Sequence, residues 1–333
     1  MKKHELKADF EKLEPSYRQL AENVKGALVQ FLKDRNIDFL DVESRVKSFD
    51  SFFNKIERKG YEEPLSEIHD ICGLRIINYY PSDLKTIESI INNEFDVIES
   101  SNKEEEMDDD RFGYRSFHFV ATIKKDWLKA PNYRGLGGLK FEIQARTILM
   151  HGWAAISHKL SYKRDSDVPK KFQRDLFRLS ALVEMADEQF ERLRLERKEY
   201  LESFTEADHK GTDKFVLRDK LNNDSLQALL DYYFPEREAS TDISSLVNEI
   251  SLLGMTLADY KAAVETVLPY LPEIELEENV VSCDDIKWAQ EGAARTVLDL
   301  TSDTYFSRHE NGAIPHELLD VISSWRVKIG KHS

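Results

Sequence analysis

The chain has 333 residues, 41% of them hydrophobic and 33% charged, with a formal net charge of −15. That length allows two domains, and the acidity excludes a broad DNA- or RNA-binding surface, which needs a basic face to neutralise phosphates. No run approaches the roughly 20 apolar residues of a membrane span, and the start at Met1–Glu5 lacks a hydrophobic signal core. Cys72 and Cys283, far apart, cannot build a four-cysteine zinc site and suit a reducing cytoplasm.

In chain order, Leu6, Phe10, Leu13, Tyr17, Leu20 and Val24 recur every three or four residues and predict an amphipathic helix over about 5–35. A second helix is expected around the basic cluster Arg45, Lys47, Lys55, Arg58 and Lys59, where Phe49, Phe52, Phe53 and Ile56 supply an apolar stripe. Strands are predicted at 72–80, 95–99, 115–123 and 139–146. A helix opens at Pro81-Ser82-Asp83, and a glycine-rich hairpin connection covers 132–138. It lacks the Lys-Ser/Thr of a P-loop. One helix is expected over about 147–162 and a longer one over about 168–203. The longer helix carries a heptad stripe of Phe172, Leu176, Leu179, Val183, Ala186, Phe190 and Leu193, suited to packing across the core or to pairing with a second copy. Thr205–Lys214 reads as a linker, and the rest as a separate helical region with capping signals at Asp224, Thr241-Asp242, Thr256/Asp259, Ser282–Asp285 and Pro315.

Three short runs carry chemistry. They are Asp70-Ile71-Cys72-Gly73-Leu74-Arg75, Gly113-Tyr114-Arg115-Ser116-Phe117-His118, and Glu142-Ile143-Gln144-Ala145-Arg146-Thr147. A period of two puts Glu142, Gln144 and Arg146 on one strand face and Phe141, Ile143 and Ala145 on the other. Charged groups on an internal strand are costly unless paired or bound to a ligand. Two carboxylates can hold Mg²⁺, cations can hold phosphates, and a tyrosine can stack a base. His151 and His158 are seven residues apart on one helix, about 10 Å, too far to chelate one metal. His151 reads as structural.

Read with Trp153, His158 and Lys159, these runs resemble the RelA/SpoT-type alarmone synthetases, the small single-domain forms in particular, from about Arg45 to Lys163. The resemblance implies an α+β fold, a nucleotidyltransferase-like mixed β-sheet flanked by helices, within a domain over residues 1–204, while the capping signals make 215–333 an all-helical accessory region. It implies transfer of the β,γ-pyrophosphate of ATP to the ribose 3′-hydroxyl of GDP or GTP with Mg²⁺. By position, Asp70 and Glu142 match the metal-binding acids, and Glu142 also matches the group that helps deprotonate the hydroxyl. Arg45 and Arg75 match the arginines around adenine, where a planar guanidinium stacks better than an ammonium. Lys47, Lys55, Arg58 and Lys59 would hold the ATP phosphates. Tyr114 would stack on the acceptor base with His118 and Gln144 nearby, and Arg146 and His158 are further candidates. No histidine–aspartate motif of the family's hydrolase domain is present, so synthesis without hydrolysis is expected.

The pattern breaks ahead of Tyr114. Where relatives that take GDP or GTP carry a basic residue, this chain has an acidic run from Glu104 to Asp110, repulsive to phosphates within about 10 Å. Two alternatives therefore stand: a toxin-type enzyme that pyrophosphorylates the 3′ end of tRNA, and a non-catalytic nucleotide sensor. The helical region is expected to regulate, bind a partner or mediate homo-oligomerisation, and to supply no catalytic group.

Overall fold

A computed structural model describes residues 3–102, 116–160, 170–207, 213–240, 242–283, 286–308 and 315–330. The chain divides into two compact units, Met1–Arg194 and Leu195–Ser333. None of the described helices is long and apolar enough to cross a membrane.

The first unit opens with α1 (Lys3–Asp34), whose stripe of Leu6, Phe10, Tyr17, Leu20, Val24, Leu28 and Leu32 is buried as the periodicity predicts. There follow β1 (Phe39–Val46), α2 (Phe49–Lys59), the short α3 (Pro64–Glu67), β2 (Cys72–Asn78), α4 (Asp83–Glu94), β3 (Phe95–Asn102), β4 (Phe117–Ile123), β5 (Phe141–Thr147) and α5 (Ile148–Leu160). A long helix, α6 (Lys170–Glu202), runs through the division between the units.

The five strands form one mixed sheet in the order β1-β2-β5-β4-β3. β2 and β5 are parallel, with Gly73 opposite Glu142 and Arg75 opposite Gln144. The other neighbours are antiparallel. β5 is internal, and its parity holds: Phe141, Ile143 and Ala145 are fully buried in a core shared with α1, Leu74, Ile76 and Phe119. Glu142 and Gln144 take the opposite face by the two-residue period.

One expected element is corrected. The basic cluster does not lie on one helix, because residues 39–46 form the edge strand β1 and α2 begins only at Phe49. Ser48 stops the strand, its side chain accepting a hydrogen bond from the Ser51 amide as the N-cap of α2. Gly60 closes α2 in the left-handed region at φ 71°.

The heptad stripe of α6 is also largely uncovered, with Phe172 56%, Leu179 49%, Phe190 54% and Leu193 54% exposed. The buried positions are polar ones, Ser180 and Asp187. Polar contacts, not the apolar stripe, fix this part of α6. Thr147 Oγ1 donates to Asp187 at 2.6 Å, the Ser82 hydroxyl donates to Glu191, and Arg194 reaches Asp83 at 3.1 Å.

The second unit begins within α6. The segment expected to be a linker instead contributes two short antiparallel strands, β6 (Thr205–Ala207) and β7 (Asp213–Phe215). Phe204 and Phe215 stack beside them with ring centroids 5.7 Å apart, inside the unit's own core. Next come α7 (Asn223–Tyr233), α8 (Ser244–Leu252), α9 (Leu257–Val267), α10 (Leu271–Ser282), α11 (Gln290–Thr301), α12 (Asp303–Phe306) and α13 (His316–Lys328). The Thr256/Asp259 capping box of α9 forms as expected. The helix expected to start at Ser282–Asp285 does not: Ser282 ends α10, and α11 starts at Gln290. α10 begins with Pro272 in its first turn, where a missing N–H costs nothing.

Candidate active site

The first anchor is Asp70, in the turn that enters β2. The Lys47 amide donates to the Ile71 carbonyl at 2.8 Å and brings the end of β1 against this turn. Lys47 Nζ then donates to Asp70 Oδ2 at 2.6 Å. From α2, Lys55 Nζ lies 3.0 Å from Oδ1, off the line of a hydrogen bond, so Oδ1 is buried with a counter-charge but no donor. Burial alone would raise the Asp70 carboxyl; the hydrogen bond of Lys47 and the charges of Lys47 and Lys55 outweigh it and hold the group below the ordinary carboxylate range.

The second anchor is Glu142 on β5. His118 on β4 brings Nδ1 to 2.9 Å from Glu142 Oε1, and its Nε2 lies 2.7 Å from the Ser116 hydroxyl. Burial pushes Glu142 up, but the hydrogen bond with His118 prevails and its carboxyl also sits low. The charge of Asp70 reaches Glu142 as well, with the opposite sign. Two carboxylates, both biased towards the ionised form, therefore face one region bordered by two ammoniums.

Around them, Arg75 on β2 donates to Glu43 on β1 at 2.8 Å. Arg45, exposed on β1, passes its side chain over Gly73, its partner across the strands. Gln144 stands opposite both Arg75 and His118 in the sheet. Arg146, on the same strand, is 5% exposed. Arg58 and Lys59 are exposed in the last turn of α2. Lys140, one strand face-repeat before Glu142, has Nζ 2.9 Å from His69 Nε2 and donates to the Ser66 carbonyl at 3.1 Å. Tyr114 and the acidic run 104–110 lie outside the described residues, and so does the side chain of His158.

Sequence reasoning missed Glu43, Ser116 and Lys140. Glu43 was hidden because β1 was read as helix. Ser116 sits two residues before His118, and that i, i+2 spacing is the signal that would have found it.

Among the described residues no group of three or more His, Cys, Asp or Glu converges on one point. A metal here would rest on Asp70 and Glu142 alone. Hard carboxylate oxygens, one of them buried without a donor, fit Mg²⁺, which keeps waters and takes its remaining oxygens from substrate phosphates.

Paired acids, flanking cations and a mixed sheet define a site for phosphate-group chemistry. Residues 44–167 match the family described as a region found in RelA / SpoT proteins. The chain is 35% identical over 150 residues to the GTP pyrophosphokinase YwaC of Bacillus subtilis, covering 44% of this chain and 69% of that one. It is 30% identical over 208 residues to the GTP pyrophosphokinase YjbM of the same organism, covering 60% of this chain and 94% of that one. The solved structure of small alarmone synthetase 1 from Bacillus subtilis bound to its product pppGpp aligns at a TM-score of 0.47 with 29% identity, over 56% of this chain and 97% of that one. The chain belongs to the RelA/SpoT family.

Proposed function

We propose that this chain is a GTP pyrophosphokinase, a maker of guanosine tetra- and pentaphosphate alarmones. It transfers the β,γ-pyrophosphate of ATP to the 3′-hydroxyl of GDP or GTP. The 3′-oxygen bonds to the β-phosphorus, the bond from that phosphorus to the α–β bridging oxygen breaks, and AMP leaves. The observation that carries the reading is the pairing of Asp70 with Lys47 and Lys55 beside the His118–Glu142 pair, within the stretch that matches the family.

In this reading Lys47 and Lys55 turn from Asp70 to the ATP phosphates, and Arg45 and Arg75 bracket the adenine, Arg75 steadied by Glu43. Asp70 and Glu142 hold Mg²⁺, which supplies charge neutralisation to the triphosphate when bound. Glu142, kept ionised by His118, accepts the proton of the 3′-hydroxyl. Tyr114 stacks on the guanine, and Gln144 lies at the acceptor side. The second unit carries none of these groups. The names of both curated relatives favour a guanosine acceptor over tRNA.

The test is incubation of the purified chain with γ-labelled ATP and Mg²⁺, with GDP, GTP or bulk tRNA as acceptor. Label in a guanosine nucleotide is expected, and label confined to tRNA would overturn the acceptor assignment. Asp70→Ala and Glu142→Ala should each abolish transfer in folded protein. Normal turnover in both would remove the metal assignment.

A further inference from the structure

We propose that Ser116 is a positioning residue for Glu142, acting through the imidazole of His118. The proposal rests on the reading of Glu142 as the reactive carboxylate of the pyrophosphate transfer. Ser116 directly precedes β4 and is fully buried. It shares strand parity with His118, so the two side chains stand on one face. Its hydroxyl is 2.7 Å from His118 Nε2, and His118 Nδ1 is 2.9 Å from Glu142 Oε1. One continuous chain of two hydrogen bonds thus crosses from the head of β4 to the start of β5.

The direction of each bond follows from which groups can donate. An ionised carboxylate only accepts, and an ordinary glutamate is ionised at neutral pH. In the neutral imidazole Nδ1 therefore carries the hydrogen shared with Glu142, Nε2 is the acceptor, and the Ser116 hydroxyl donates to it. A buried hydroxyl cannot trade this partner for water, so it fixes both the tautomer and the plane of the ring. The ring in turn fixes the carboxylate. The order of burial is the reverse of a serine nucleophile's triad, in which the serine faces substrate. Here the serine is the enclosed end, while the His118 and Glu142 side chains remain 18% and 19% exposed. Ser116 is thus an anchor for the reactive end, comparable to outer partners that orient a ligating carboxylate or histidine.

The experiment uses the full chain with Ser116→Ala and Ser116→Thr. Steady-state kinetics with ATP and GDP should show kcat lower by about 10- to 100-fold for the alanine variant. The KM for ATP should stay within about twofold, because its contacts come from β1, β2 and α2, and threonine should restore most of kcat. Nitrogen-15 spectra of histidine-labelled protein without substrate, at pH 8.5, with His118→Gln to assign the signal, should show the Nδ1–H tautomer in the wild type. In Ser116→Ala the signal should move to a mixture of tautomers, and in Ser116→Thr it should return. If the alanine variant does not fold, Ser116→Cys, similar in size and a weak donor, takes its place with the same expectation. An Nε2–H tautomer in the wild type, or an alanine variant with unchanged kcat and unchanged spectrum, would overturn the proposal. Absence of any transfer by the wild type would count against the enzymatic reading alone, since the spectra decide the Ser116–His118 bond without turnover.

Discussion

Asp70→Asn separates the charge of the first anchor from its shape. In the wild type, Asp70 is 22% exposed and lies between Lys47 at 2.6 Å and Lys55 at 3.0 Å, whose side chains are 12% and 22% exposed. At an effective dielectric of about 20, each contact has a bare Coulomb term on the order of 5 kcal/mol, most of it cancelled by desolvation. A charge-assisted hydrogen bond retains about 1.5–3 kcal/mol net, and only the Lys47 contact is aligned as one. The asparagine variant should therefore lose about 2 kcal/mol in the first unit, lowering its Tm by roughly 4–8 °C in a unit of this size. The sign with pH follows from the depressed carboxyl. Its stabilisation is complete above the unfolded value near 3.9 and is lost as pH falls through the lower folded value. Calorimetric melting from pH 8 downward should show a constant gap between wild type and variant until about pH 4, then a shrinking one. Equal melting at pH 7, or a gap that widens on acidification, would show that the lysines are not held by Asp70.

Glu43→Gln should raise the KM for ATP by about 2- to 5-fold with kcat unchanged, the worth of a partly exposed ion pair at Arg75; an unchanged KM would free Arg75 from its assigned dependence. Thr147→Val removes the 2.6 Å bond to Asp187 and the hydrogen bond accepted from the Met150 amide, and should cost about 2 kcal/mol by denaturant unfolding. Arg326, 1% exposed, donates to the Asp299 carbonyl and pairs with Asp303. Arg326→Met leaves the Asp299 carbonyl without its donor and should lower the stability of the second unit by about 1–3 kcal/mol, with transfer per folded molecule unchanged. A chain ending at Arg194 keeps every proposed site residue and the Arg194–Asp83 bridge, and should still transfer pyrophosphate; a folded but inactive truncation would place a required group beyond it.

The parts of the site legible in the sequence are those whose evidence is local. The parity of 141–147 is visible within seven residues, and it placed Glu142 and Gln144 correctly opposite the buried Phe141, Ile143 and Ala145. Glu43 was not legible, because its meaning depends on antiparallel pairing with a strand 32 residues away. β1 itself was masked by the stronger helical period of Phe49, Phe52, Phe53 and Ile56, which extended the expected helix backwards over Arg45 and Lys47. Ser48 holds the boundary, and a capping serine three residues before Ser51 is a weaker signal than an aromatic stripe. In α6 the heptad of apolar residues was legible, but the polar groups that hold the helix, Asp187, Glu191 and Arg194, were not, since they are partners of side chains over a hundred residues away in two of the three cases.

The net charge that excludes a broad nucleic-acid surface is not evenly spread along the chain. Residues 195–333 hold 27 of the 62 acidic residues but only 14 of the 47 lysines and arginines. The first 194 residues are then nearly balanced, with 35 acids and 33 bases. Because charges are screened beyond about 10 Å, a nucleotide at Asp70 responds first to Lys47, Lys55, Arg45 and Arg75, whatever the sum over the chain. An acidic chain and a triphosphate site are compatible here because the excess acid sits in the unit that carries none of the proposed site residues. The sum over 333 residues describes solubility and partners of the whole molecule, while the chemistry is set by groups within a few ångströms of two carboxylates.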